Sequence, residues 1–266
     1  MSDSEILRPK AAATSTYDAV HGAARAGGRV AVVGDCFATF AAEGRAATIS
    51  GLTTVLREGG FDDLAEPVRV EIGQGVDDIS LAEAVAAIEQ RGLPDRLLLR
   101  CDDLPTPVET RVVHKRNPRN VLLAGFERTG VDEFEAALRI SPDNELLLDH
   151  MTGLHIQGMV LIEAARQMFL AVCELHYTRR WPEHDYAFLL TSVNTAFHSI
   201  VFPLPARLRL TAHRAETDDA KRLHFVVETQ IWQNGKPAST TVVECASPTA
   251  QRARRVEARA ASSAVG

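Results

Sequence analysis

The sequence predicts an α+β protein, in which a small α/β unit precedes an antiparallel sheet wrapped around one long central helix. Three observations carry this expectation. Between about residues 27 and 103, short β-branched runs alternate with stretches of helical periodicity, the pattern of a small parallel α/β unit. From residue 108 onward, strand-like segments dominate. A single stretch from about Gln157 to His176 interrupts them and is apolar on nearly every side. A helix hydrophobic all round has to be buried.

Each element follows in order. Residues 1–16 read as a flexible lead-in; Asp3 and Glu5 without an apolar core exclude a secretory signal. Residues 17–103 form the small α/β domain, whose role is open. Its first strand is Arg29-Val30-Ala31-Val32-Val33, ending at Gly34-Asp35. Ile49, Leu52, Val55 and Leu56 recur at helical spacing until Gly59-Gly60 stops them. Val68 to Ile72 alternates as a second strand. Ser80 with Glu83 three residues on reads as a capping box before Leu81, Ala84, Val85 and Ile88. Arg96 to Arg100 is the third strand, and Leu104-Pro105-Thr106-Pro107 is the expected linker.

The second domain spans 108–247. Val108 to His114, Val121 to Glu127 and Asp132 to Ile140 read as consecutive strands. After the central helix come Tyr186 to Val193, Ala196 to Val201 and Ala206 to Arg214. Lys221 to Gln233 and Pro237 to Ala246 form a hairpin across Asn234-Gly235. Strands enclosing one apolar helix are what a hotdog fold requires. The Arg/Ala/Ser-rich tail, 248–266, is expected to be disordered and solvated.

Composition excludes several classes of function. The chain has 266 residues, 45% hydrophobic, enough to fill a core of this kind. A net charge of −6 offers no footprint for nucleic acid. No apolar run reaches membrane-spanning length. Cys36, Cys101, Cys173 and Cys245 are scattered without metal-ligand spacing, so neither a metal nor another cofactor is expected and a reduced cytoplasmic setting is.

The segment running from Asp149-His150 through His155-Ile156-Gln157-Gly158 to Glu163-Ala164-Ala165-Arg166-Gln167 is the most informative. It places two imidazoles, the amides of a helix start and an embedded carboxylate close together. A carboxylate inside an apolar helix is costly unless it is paired or used. Glu163 and Arg166, three apart, share a helix face, with Gln167 four beyond Glu163.

These residues, with Val113-His114-Lys115 and Asn120-Val121-Leu122-Leu123, resemble the A-factor biosynthesis hotdog domain (the AfsA type) over about residues 108–247. Members of the best-known kind carry two repeats; here there is one, preceded by the α/β unit, and Gln157 stands where many members have Pro. The resemblance implies acyl-thioester chemistry: transfer of a β-ketoacyl group from acyl carrier protein to the hydroxyl of dihydroxyacetone phosphate, on the way to γ-butyrolactone-type signals or secondary metabolites. The wider superfamily adds two alternatives, an acyl-carrier thioesterase or dehydratase. A non-catalytic acyl-binding module is the third.

Acyl transfer needs a donor toward the thioester carbonyl, a base and a dry channel. Gly158, at the helix start, offers amides for the carbonyl; close helix–sheet packing explains a glycine there about as well. Glu163 is the expected base, its pKa raised by burial and lowered by Arg166, which would itself hold a phosphate or an oxyanion. A structural ion pair is the plain alternative. His155 and His150 are the candidate proton carriers, His155 placed first. Asp149 would fix the loop or orient a histidine, and it joins Gly158 and Gln167 on the substrate side. His114-Lys115-Arg116 could meet the carrier's phosphate, although a solvated strand end is commoner. Gly34-Asp35-Cys36 lacks the residues of a phosphate loop, and nothing marks Cys36 as an activated nucleophile. A single repeat leaves its sheet edge and its site incomplete, so a homodimer is expected.

Overall fold

The computed structural model describes residues 16–26, 28–44, 46–148 and 153–265. Asp149 and His150, two of the expected site residues, lie outside them.

The α/β unit is built on a four-stranded parallel sheet of β1 (Arg29–Val33), β2 (Ala47–Thr48), β3 (Val68–Ile72) and β4 (Leu97–Leu98), in the order β2-β1-β3-β4. Helices α1 (16–25), α2 (Ala38–Gly44), α3 (Ile49–Arg57) and α4 (Asp78–Gln90) belong to the same unit, and the short α5 (Glu145–Leu148) comes later in the chain. Val30, Val32, Val68 and Val70 bury one face against Leu52, Leu56, Leu81 and Ile88. The capping box expected at Ser80 is replaced by an earlier start. Asp77 is the N-cap, and its carboxylate accepts from the Ser80 amide at 2.7 Å, an equally good cap two residues upstream of the first apolar position.

A six-stranded antiparallel sheet follows, made of β5 (Leu123–Gly130), β6 (Glu133–Leu138), β7 (Leu189–Phe197), β8 (Arg207–Glu216), β9 (Arg222–Gln233) and β10 (Lys236–Pro248), in the order β5-β6-β8-β9-β10-β7. Along β9 buried and half-buried residues alternate strictly, as a sheet with one covered face requires. That face receives helix α6 (Gly158–Val172). Val160, Ala164, Met168 and Phe169 pack among Phe134, Leu208, Phe225, Val227 and Val243. Each fully buried side chain of this size contributes roughly 1.5–3 kcal/mol. This is the expected hotdog arrangement. Asn234 and Gly235 turn the β9–β10 hairpin with φ of 52° and 74°, the pair of positive angles a type I′ turn demands.

Several expectations give way. The segment expected as a strand from Val108 to His114 is instead a 3-10 turn, Thr110–Val113, closed by His114 at φ 54°. Val112 and Val113 are buried, but against α6 rather than beside a strand, so burial and not pairing fixes their conformation. The tail is no random coil: 250–265 forms helix α7 (Ala250–Val265), seated through Ala253 and otherwise exposed. Alanine and arginine are strong helix formers, a preference that outweighs the polarity of the segment. The expected linker is tied down too. Arg139 donates to the Pro105 carbonyl at 2.7 Å, and the Gly125 amide to that of Thr106 at 3.0 Å. The two units also share a core, since Val33, Phe37, Ala41 and Ala46 of the first pack within the apolar cluster of the second.

Candidate functional site

The middle of α6 carries the site. Glu163 and Arg166 lie one turn apart on its half-buried face, and the guanidinium grips the carboxylate with both prongs: Nε to Oε2 at 2.7 Å and Nη2 to Oε1 at 2.8 Å. Lys115 Nζ stands 2.7 Å from Glu163 Oε1. It arrives there because the left-handed His114 reverses the chain immediately before it. His114 is itself held, its Nε2 2.7 Å from Glu174 Oε1 and its ring beside Phe188. So the basic triplet, whose commoner explanation was a solvated strand end, supplies the second cation of the cluster.

Burial pushes the Glu163 pKa up, but the hydrogen bonds from Arg166, Lys115 and Gln167, together with the Arg166 charge, outweigh it and hold the carboxyl down to about 2. A carboxylate so acidic is ionised throughout the physiological range and is a poor proton acceptor. That differs from the expectation of Glu163 as the base: the geometry makes it the anion that aligns two cations.

Gln167 departs from expectation as well. It is fully buried; its Oε1 accepts from the Leu122 amide at 2.8 Å, and its Nε2 donates to the Asn120 carbonyl at 2.8 Å and to Glu163 at 3.1 Å. With its amide consumed by backbone and by Glu163, it anchors 120–122 to α6 rather than meeting a substrate.

Gly158 opens the helix, and a Cβ there would lie 2.9 Å from the Phe197 ring. Close packing therefore accounts for the glycine. His155 lies in the half-buried turn Gly153–His155 before α6. Glu163 is five residues into the helix from Gly158, about 7.5 Å along its axis.

Beside the cluster opens a cavity of about 220 Å³, lined by Lys115, Asn120, Asn144, Leu146, Met159, Ile162 and Glu163, with Glu145 at its edge. Hydrogen bonds from Asn117 and then Asn120 lower the Glu145 pKa. Leu146, Met159 and Ile162 add apolar lining beside the charged and polar groups. A wider cleft of about 1250 Å³ runs between the two units past Arg69, Arg100, Arg207 and Trp232; it is lined by none of the α6 residues and is separate from this chemistry. Of the residues that sequence reasoning missed as site members, Asn144 carries no signal beyond being polar in a turn, and Asn120 was read only as part of the Asn120–Leu123 family motif.

Elsewhere, burial pushes the Cys36 thiol up to about 11, so it stays protonated at neutral pH. Among the described residues no helix is long and apolar enough to cross a membrane.

With this geometry in hand, comparison with known proteins is informative. Among solved structures, the chain is similar to a mutant thioesterase from Pseudomonas aeruginosa at 13% identity, covering 48% of this chain and 81% of that one with a TM-score of 0.36. It is similar to a thioesterase from Haemophilus influenzae at 13%, covering 48% and 78% with a TM-score of 0.35. A dehydratase heterocomplex from Xenorhabdus doucetiae gives 17% identity, 57% and 97% coverage and a TM-score of 0.42. No curated protein sequence gives a match. The profile of the A-factor biosynthesis hotdog domain, AfsA, matches residues 99–248, more than half of the chain. The chain belongs to the A-factor biosynthesis hotdog domain family.

Proposed function

We propose that this protein is a cytoplasmic acyltransferase that moves a β-ketoacyl group from an acyl carrier protein thioester to the hydroxyl of a phosphorylated acceptor. Dihydroxyacetone phosphate is the acceptor the family resemblance implies, and a γ-butyrolactone-type signal or secondary metabolite the eventual product. The observation that most supports this reading is the Lys115–Glu163–Arg166 cluster, whose Lys115 and Glu163 line a half-apolar cavity. Two cations aligned by one carboxylate suit a phosphate or a carbonyl developing negative charge. Leu146, Met159 and Ile162 suit the first carbons of an acyl chain.

In this reading the acceptor oxygen bonds to the thioester carbonyl carbon while its proton passes to His155, since a carboxylate of pKa about 2 is a poor acceptor. While Arg166 and Lys115 hold the acceptor's phosphate, the carbonyl oxygen becomes the oxyanion of a tetrahedral intermediate. Its collapse breaks the C–S bond, and the carrier thiolate takes the proton.

The reading includes a homodimer. β7 is an edge strand, and Leu189, Leu190, Val193 and Phe197 along it are all more than 40% exposed. A long apolar edge is a pairing surface unless something covers it, and a second copy supplies the symmetric cover.

The decisive assay incubates pure protein with β-ketoacyl carrier protein, with and without dihydroxyacetone phosphate, and follows products by mass spectrometry. An acceptor-dependent ester is expected. Its absence rejects the proposal. Free acid released without acceptor would point to a thioesterase, and loss of water from a 3-hydroxyacyl carrier to a dehydratase. A non-catalytic acyl-binding module would leave every measured activity indifferent to Glu163→Ala and Arg166→Ala.

A further inference from the structure

The α/β unit meets the hotdog domain at residues 138–140 and at two segments beside the start of α6. The first is Gly153–Ile156. The Phe40 amide donates to the Gly153 carbonyl at 3.2 Å. A Cβ on Gly153 would stand 2.9 Å from the Cys36 carbonyl oxygen and 3.4 Å from Thr39 Oγ1. A backbone oxygen cannot swing aside as a side-chain tip can, so the approach requires glycine.

The second segment is 200–205. The Gln74 amide donates to the Pro203 carbonyl at 2.9 Å, and a Cβ on Gly73 would fall 2.2 Å from that same oxygen. Phe40 lays its ring against Phe202 at 5.7 Å between centroids. The two segments are bound to each other by the Ile156 amide, which donates to the Val201 carbonyl at 2.8 Å. The buried Gln74 side chain completes the joint: Nε2 donates to Leu138 and Leu204 carbonyls at 3.0 and 3.3 Å, and Oε1 accepts from the Ile140 amide at 2.9 Å.

Open parallel sheets usually bind small molecules in the crevice at the carboxyl ends of their strands. Here β1 and β3 run out into Gly34 and Gly73, and protein backbone closes on both glycines. A Cβ on Gly34 would lie 1.7 Å from the Gly75 carbonyl, and Gly73 abuts Pro203. At these two glycines the carboxyl end of the sheet serves as a joint.

We propose that the α/β unit is a positioning element of the hotdog site: the turn from Asp35 to Phe40, backed by the Gln74 joint, holds Gly153–His155 in register with the start of α6. This rests on the reading of His155 as a proton acceptor and extends it, giving the α/β unit a part in the same site. Cys36, Thr39 and Phe40 act through the loop and touch no substrate.

The test uses the full chain with ring-labelled histidine, the His155 signal being identified by its loss in His155→Gln. Gly153→Ala must push the loop off the Cys36 carbonyl, and Phe40→Ala removes the contact with Phe202. In both, the His155 ring resonances should move by more than a linewidth, and kcat for acyl transfer should fall about tenfold to a hundredfold with KM for the carrier thioester within about twofold. Gly22→Ala, on α1 with nothing within 4 Å of the added carbon, should leave both unchanged. Folded variants whose His155 resonances stay in place would overturn the proposal. Resonances that move without loss of activity would sustain it while removing His155 from the chemistry.

Discussion

Glu163 owes its ionised state to a contest between burial and charge, and acid is the direct probe of that contest. The folded carboxyl sits at about 2 against 4.5 for a free one. A depressed pKa gives stability that is whole above the unfolded value and drains away as pH falls through the folded one. The loss therefore belongs between about pH 4.5 and pH 2, and amounts at most to about 3 kcal/mol. Urea unfolding of the wild type and of Glu163→Gln across that window should show the pH slope in the former and its flattening in the latter; parallel curves would remove Glu163 from the ionised cluster. The sequence made Glu163 and Arg166 legible because helical spacing alone brings i and i+3 together. Lys115 was legible only as one of a basic triplet, since its arrival depends on the left-handed backbone at His114. Gln167 was misread for a related reason: which amides meet it is decided by the packing of 120–122 on α6, and no local pattern encodes that.

At the scale of elements, the edge strand β7 has the clearest consequence. Its exposed apolar row predicts association through that edge. Val193→Lys puts a charge in the middle of the row, a device natural proteins use to keep edges single. Light scattering should show a dimer for the wild type and a monomer for Val193→Lys; a wild-type monomer would refute the assignment of β7 as the interface. The strands with strict alternation, and the Asn-Gly hairpin between β9 and β10, could be read from sequence because period and turn chemistry agree there. The 3-10 turn Thr110–Val113 could not, because a β-branched run signals burial without saying against what. Helix α7 shows the opposite failure, a helical preference hidden behind a polar composition.

For the whole molecule, the shared core and the Gln74 joint mean that the two units fold as one. A single calorimetric transition is expected. Gln74→Ala strands the Ile140 amide and the Leu138 carbonyl in a dry interface, which should lower Tm by about 5–10 °C and separate the transition into two. An unchanged single peak would show that the joint carries little. The sequence reads a change of texture near Pro105 but could not show that the parts on either side interlock, since many of the contacts are backbone carbonyls closing on glycines. The central claim, that Lys115 and Arg166 aligned by Glu163 receive the acceptor's phosphate, is tested most directly by acceptor kinetics in Lys115→Met. The account predicts that KM for dihydroxyacetone phosphate rises about tenfold or more while KM for the acyl carrier thioester holds. An unchanged acceptor KM would contradict it.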